Sequence, residues 1–146
     1  MRAAWNIALG FVAGLIFLSA AAAQTTRPAP TADGGAIRDI ISRQVAAFRR
    51  DDAESAFALA SPRVRQQFGV ASTFIVMVRE GYAAVYRPRD FVFGGLTVDG
   101  DEGVQEVHVT GPDGAPVTAV YLMQRQPDGA WRIDGCVLLP SAQTRT

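Results

Sequence analysis

The chain of 146 residues carries 14 basic and 14 acidic side chains, one histidine and one cysteine, and has no formal net charge. Neither sign of charge forms a block, which argues against nucleic acid or an anionic membrane surface as a partner. Every basic side chain is arginine, so lysine chemistry such as Schiff-base formation is excluded.

Arg2 precedes an apolar run from Ile7 to Leu18, followed by Ser19-Ala20-Ala21-Ala22-Ala23-Gln24. A positive start, an apolar stretch of about a dozen residues and a small-residue site predict a secretion signal cleaved after Ala23, hence a periplasmic or secreted protein. The alternative is an uncleaved anchor, lengthened by the alanines, which would be the chain's only link to a membrane. With Cys136 as the sole cysteine, no lipid can be attached near the cleavage site. An internal disulfide is also excluded, so the hydrophobic core must stabilise the exported domain.

Residues 24–35, rich in Thr, Pro, Ala and Gly, read as a flexible leader; 36–140 read as one domain and 141–146 as a disordered tail. From Ile37 the apolar positions Ile40, Ile41, Val45 and Phe48 keep a helical spacing, with Arg38, Asp39, Arg43 and Arg49 on the outside. Asp51 or Asp52 caps a short second helix through Leu59. Ser61-Pro62 opens a third that stops near Gly69. A fourth runs from about Ser72 through Arg79, with Gly81 in the position of a left-handed C-terminal residue. The connector Tyr82 to Arg89 follows.

Beyond it the period changes to alternation. Phe91–Val98, Val104–Thr110, Pro116–Gln124 and Trp131–Leu139 read as four strands, separated by short Gly- and Asp-containing turns. Gly94-Gly95 reads as a bulge or kink in the first strand. In the last strand Trp131, Ile133, Gly135, Val137 and Leu139 are expected to face the helices. Helices first and sequential hairpins afterwards predict an α+β domain, with N-terminal helices packed on a curved four-stranded antiparallel sheet.

These elements, closing on Trp131-Arg132-Ile133, resemble the nuclear-transport-factor-2-like (cystatin-like) fold. More closely, Ala47-Phe48-Arg49-Arg50-Asp51-Asp52, Met77-Val78-Arg79-Glu80-Gly81-Tyr82, Val85-Tyr86-Arg87-Pro88-Arg89 and Met123 through Cys136 resemble a family of exported bacterial domains catalogued only as a domain of unknown function. The resemblance covers most of residues 37–140 and implies a fold without an activity. The wider fold implies a conical cavity that holds a small apolar ligand or runs isomerase and dehydratase chemistry, and pairing of two copies through the outer sheet face. Function carried over from fold is analogy, because chemistry belongs to sites.

His108, the sole histidine, is a catalytic candidate by elimination; its strand alternation puts it with the polar set, away from the helices. Asp134 is a second candidate, as a base in a cavity. Its structural alternative is a pair with Arg132 or Arg125. Tyr82, Tyr86, Arg87 and Arg89 crowd the connector, where hydroxyls and guanidinium groups would suit a polar head on an apolar ligand. The alternative has the tyrosines packed at the helix and sheet junction and the arginines in water. Cys136, followed by apolar residues, reads as a buried inert thiol. One His and one Cys far apart make no metal site, Gly34-Gly35 and Gly94-Gly95 match no phosphate loop, and no cofactor is expected. Three functions follow in order of weight: a ligand-binding domain, an envelope protein-interaction module using the sheet face, and an isomerase-like or dehydratase-like enzyme.

Overall fold

A computed structural model describes residues 32–141. The segments expected to be a secretion signal, the leader up to Thr31 and the tail from Ala142 lie outside the described residues. Five helices precede four strands: α1 (Ala32–Arg49), α2 (Ala53–Ala58), α3 (Pro62–Phe68), α4 (Ala71–Gly81), α5 (Ala83–Tyr86), β1 (Asp90–Asp99), β2 (Glu102–Thr110), β3 (Pro116–Arg125) and β4 (Trp131–Pro140).

The first helix buries Ile37, Ile40, Ile41, Val45 and Phe48 along one stripe, while Asp39 and Arg43 pair on its wet side at 3.7 Å. It begins at Ala32, inside the stretch that composition assigned to the leader. Tertiary contacts explain the extra turn. The Asp33 carboxylate in that turn accepts hydrogen bonds from the Trp131 indole and the Arg125 guanidinium, each at 3.2 Å, and Gly34 is buried beside Leu96. Neither partner is near in sequence.

The short helices are set by their caps. Asp52 accepts from the Ser55 N–H at 3.1 Å and opens α2, and the Ser61 hydroxyl accepts from the Val64 N–H at 3.3 Å and opens α3 with proline in the first turn. Gly69, at φ 77°, ends α3 in the left-handed region. Gly81 does not do the same for α4. The helix instead ends on Tyr82 (φ −136°), whose carbonyl accepts from the Val85 and Tyr86 N–H groups and starts the single turn of α5 inside the expected connector.

The sheet is an antiparallel meander in the order β1-β2-β3-β4. Two irregularities bend it. At Gly94-Gly95 the β1–β2 register slips, and the buried Gln105 amide pins the bulge by donating to both glycine carbonyls at 3.2 Å. In β4, Met123 pairs with Ile133 but Leu122 pairs with Gly135, so Asp134 has no partner in the ladder.

That second bulge corrects the expected face of β4. Trp131 and Ile133 face the helices as the alternation requires, but beyond Asp134 the alternation inverts. Cys136 and Leu138 pack on the core, and Val137 and Leu139 point outward at 47% and 46% exposure. An extra residue in one strand moves every later side chain to the other face. Two buried clusters result: one between α1 and the sheet, centred on Ile37, Ile41, Val107, Tyr121 and Trp131, and one within the helical layer, centred on Phe48, Ala56, Phe74 and Val78.

Candidate functional site

A cavity of about 530 Å³ opens between these clusters. Its helical wall carries Gln44 and Phe48 from α1, Val64 and Phe68 from α3, and Phe74 and Met77 from α4. The sheet wall carries Tyr121 from β3 and the run Ile133 to Cys136 from β4, while Tyr82 and Val85 close the side formed by the connector. Aromatic packing fixes the helical wall: Phe74 lies 5.4 to 6.2 Å from the ring centroids of Phe48, Phe57 and Phe68. A largely apolar volume of this size falls in the range of small-molecule sites, roughly 300–1,000 Å³.

The bulge in β4 shapes the rim. Ala60 and Ile133 form a short parallel bridge, in which Ser61 N–H donates to the Ile133 carbonyl at 2.8 Å and Ile133 N–H to the Leu59 carbonyl at 2.9 Å. This brings the start of α3 to the bulged residue. Asp134 accepts from the Ser61 hydroxyl at 2.7 Å and pairs with Arg63 at 3.1 Å, and Arg63 also donates to the Asp134 carbonyl. The partner of Asp134 is therefore Arg63. Arg132 instead donates to the Trp131 carbonyl, and Arg125 pairs with Asp33 and Asp101.

Of the four connector residues expected at a ligand mouth, Tyr82 lines the cavity, and Tyr86, Arg87 and Arg89 are not among its walls. The Tyr86 ring is buried at 6% exposure, its hydroxyl donating to Asp51 and accepting from Arg79 at 3.1 Å. Arg87 pairs with the same carboxylate at 2.7 Å and donates to the Arg49 carbonyl. The Tyr86 hydroxyl foremost, with Arg87 after it, holds the Asp51 carboxyl below its ordinary range. Asp51 itself sits at φ 54°, a left-handed conformation that aspartate tolerates better than most residues. The cluster ties the α1–α2 turn to α5. Arg89 is exposed beside the β2–β3 turn, its N–H donating to the Thr110 carbonyl.

His108 stands on the outer sheet face, across from Val92 and Thr118, with its imidazole over Gly94. Asp134 is held on the helix side by Ser61 and Arg63. The two catalytic candidates are thus on opposite faces of the sheet and form no pair.

Sequence reasoning did not single out Tyr121. It is 1% exposed, and its hydroxyl has no hydrogen-bond partner among the described residues. Burial, with the neighbouring Cys136 as a lesser cause, pushes its ionisation well above the ordinary value of 10.0. Cys136, paired across the strands with Tyr121, is pushed up to about 12 by burial, in keeping with an inert protonated thiol. The signal for Tyr121 lay in the alternation of Ala119, Tyr121 and Met123 along one face of β3.

The sequence from residue 30 to 146 matches the family model of the domain of unknown function DUF4864. The chain belongs to the DUF4864 family. No curated protein matches it. Among solved structures, this DUF4864 chain is similar to an NTF-2 like protein of unknown function from Burkholderia xenovorans LB400, at 12% identity and a TM-score of 0.49, over 75% of this chain and 88% of that one. The element order and sheet of the described residues, N-terminal helices before a four-stranded antiparallel meander, are the α+β arrangement expected from the sequence.

Proposed function

We propose that this DUF4864 domain is exported and binds a small apolar ligand in the cavity between its helices and its sheet. The observation that carries the reading is the cavity itself: about 530 Å³, walled mainly by Phe48, Phe68, Phe74, Met77, Val85 and Ile133, with few polar groups at defined places. Apolar walls of this kind in contact with water are stabilised when an apolar occupant covers them. Export is supported by the Arg2 to Ala23 pattern.

Native and denatured mass spectrometry of the protein purified from its own compartment tests both parts. The expected denatured mass is that of a chain beginning at Gln24, and the native mass per chain exceeds it by a small molecule. A native mass that is a whole multiple of the denatured mass would sink the tight-ligand reading, and a mass that retains residues 1–23 would replace cleavage with anchoring.

A second reading is favoured by the outer sheet face. Val92, Val104, Leu122, Val137 and Leu139 are all exposed on it, a set of large apolar side chains from every strand. Such a patch suits an interaction surface, and a second copy of the chain is the occupant proposed for it. Ligand binding on one side of the sheet and pairing on the other are compatible.

A further inference from the structure

Resting on the cavity reading, we infer that the small ligand is a short extended peptide, which adds to the open edge of β4 and places one large apolar side chain in the cavity.

The backbone of β4 offers the hydrogen bonds for such a strand. β4 is the last strand of the sheet, so its residues direct their N–H and C=O groups alternately to β3 and away from it. Two sets of bonds fix the phase. Arg125 N–H donates to the Asp101 carbonyl on the β2 side of β3, and the β2–β3 register is unbroken, so Thr118, Val120 and Leu122 bond towards β4. Their partners there are Leu139, Val137 and Gly135. Ile133, opposite Met123, points away from β3 and bonds instead to Leu59 and Ser61. In the same phase Cys136 and Leu138 direct their backbone groups outward, where they have no partner among the described residues. Both residues are partly exposed. Natural sheet edges are guarded by charges, prolines, bulges or covering segments. The β1 edge has its Gly94-Gly95 bulge, with Asp90 and Asp99 at its ends, and β4 is covered by Ala60 as far as Ile133. From Gly135 to Leu139 there is neither a charge nor a proline.

The cavity lies beneath that edge. Its sheet wall comes from β3 and β4 alone, through Tyr121 and the run Ile133 to Cys136, and α3 and α4 stand opposite. Directly paired residues of antiparallel strands put their side chains on the same face. The Cys136 side chain packs on the core and lines the cavity, so a peptide residue paired with it sends its own side chain towards that space, walled by Phe48, Phe68, Phe74 and Met77. The flanking peptide residues point the other way, beside exposed Val137. Leu138 is not part of the lining, which limits the cavity to one anchor. Charge favours an uncharged segment: Arg63 and Asp134, the charged residues of the lining, are already paired with each other. Main-chain bonds to an open edge, with a pocket for an alternate side chain, are the elements of peptide recognition by strand addition.

The test uses the delipidated protein, the apolar dye N-phenyl-1-naphthylamine and the peptide acetyl-Ser-Thr-Phe-Thr-Ser-amide. The dye should bind in the cavity, and the peptide at up to millimolar concentration should displace it. Alanine in place of the peptide's phenylalanine should weaken binding about 10- to 100-fold, the effect of an apolar anchor left out of its pocket. N-methylation of the phenylalanine removes the donor to the Cys136 carbonyl and should weaken binding about 5-fold or more. N-methylation of the threonine after it, whose N–H points away from β4, should be tolerated. Hydrogen exchange followed by NMR gives an independent reading: the Cys136 amide should exchange quickly in the unliganded protein and slowly with the peptide, whereas the Val137 amide should be slow in both. A dye that binds without being displaced, equal binding of the two N-methylated peptides, or a Cys136 amide unaffected by the peptide would overturn the peptide inference while the cavity reading stands. Failure of dye and peptide alike to bind would overturn the cavity reading, and this inference with it.

Discussion

Replacing Ser61 by alanine removes one oxygen that does two jobs. The side chain is fully buried, its hydroxyl accepts from the Val64 N–H at the start of α3 and donates to Asp134 at 2.7 Å across 73 residues of sequence. Loss of an N-cap costs about 0.5–2 kcal/mol, and loss of a hydrogen bond to a charged acceptor about 1.5–3 kcal/mol. Both effects pass through one atom and overlap in part, so a total of about 2–4 kcal/mol is expected. For a domain of about 100 residues this lowers the melting temperature by on the order of 10–20 °C. Urea unfolding should show the loss as a shift in midpoint at constant slope. The pairing with Asp134 is isolated by a double-mutant cycle with Asp134→Ala, in which a coupling of about 1 kcal/mol or more is expected. Additivity within about 0.5 kcal/mol would refute the claim that Ser61 holds the bulged residue in place, and a single-mutant loss below that figure would refute the whole account.

Two further outcomes follow from the sheet. Burial raises Cys136 from an ordinary value of 9.0 to about 12, so between those limits the folded thiol keeps a proton that the unfolded chain releases. Stability therefore falls as pH rises through this window, Tyr121 adding a decline of the same sign above 10.0, and Cys136→Ala should reduce the slope by up to ~1.4 kcal/mol per pH unit. An unchanged slope in the variant, measured by urea titration at several alkaline pH values, would show the thiol to be solvated in the folded state. On the outer face, Val137→Glu and Leu139→Glu should leave the fold intact by circular dichroism, both side chains being exposed in the single chain, but convert a dimer to a monomer in sedimentation velocity and make the melting temperature independent of protein concentration. An unsubstituted domain that sediments as a monomer would remove the pairing proposal.

Local chemistry made much of this architecture legible. The stripe from Ile37 to Phe48, the caps at Asp52 and Ser61 and the turn glycines at 100, 114 and 129, all at positive φ, act within a few residues of themselves, and their elements stand where the sequence puts them. The outward place of His108 was likewise legible, because strict alternation runs unbroken through β2. Where distant segments meet, the sequence was silent. The first turn of α1 depends on Asp33 meeting Trp131 and Arg125, about a hundred residues away. The inversion of β4 depends on Ser61 and Arg63 holding Asp134 out of register, so Val137 and Leu139 face outward against their own periodicity. Tyr86 and Arg87 have the chemistry of a ligand site but are drawn to Asp51, whereas Tyr121, unmarked in an ordinary strand pattern, lines the cavity while its hydroxyl is closed off from solvent. Periodicity and capping are properties of short segments and fix elements and faces; which polar groups satisfy one another, and which side chains wall the cavity, is decided only when the chain closes on itself.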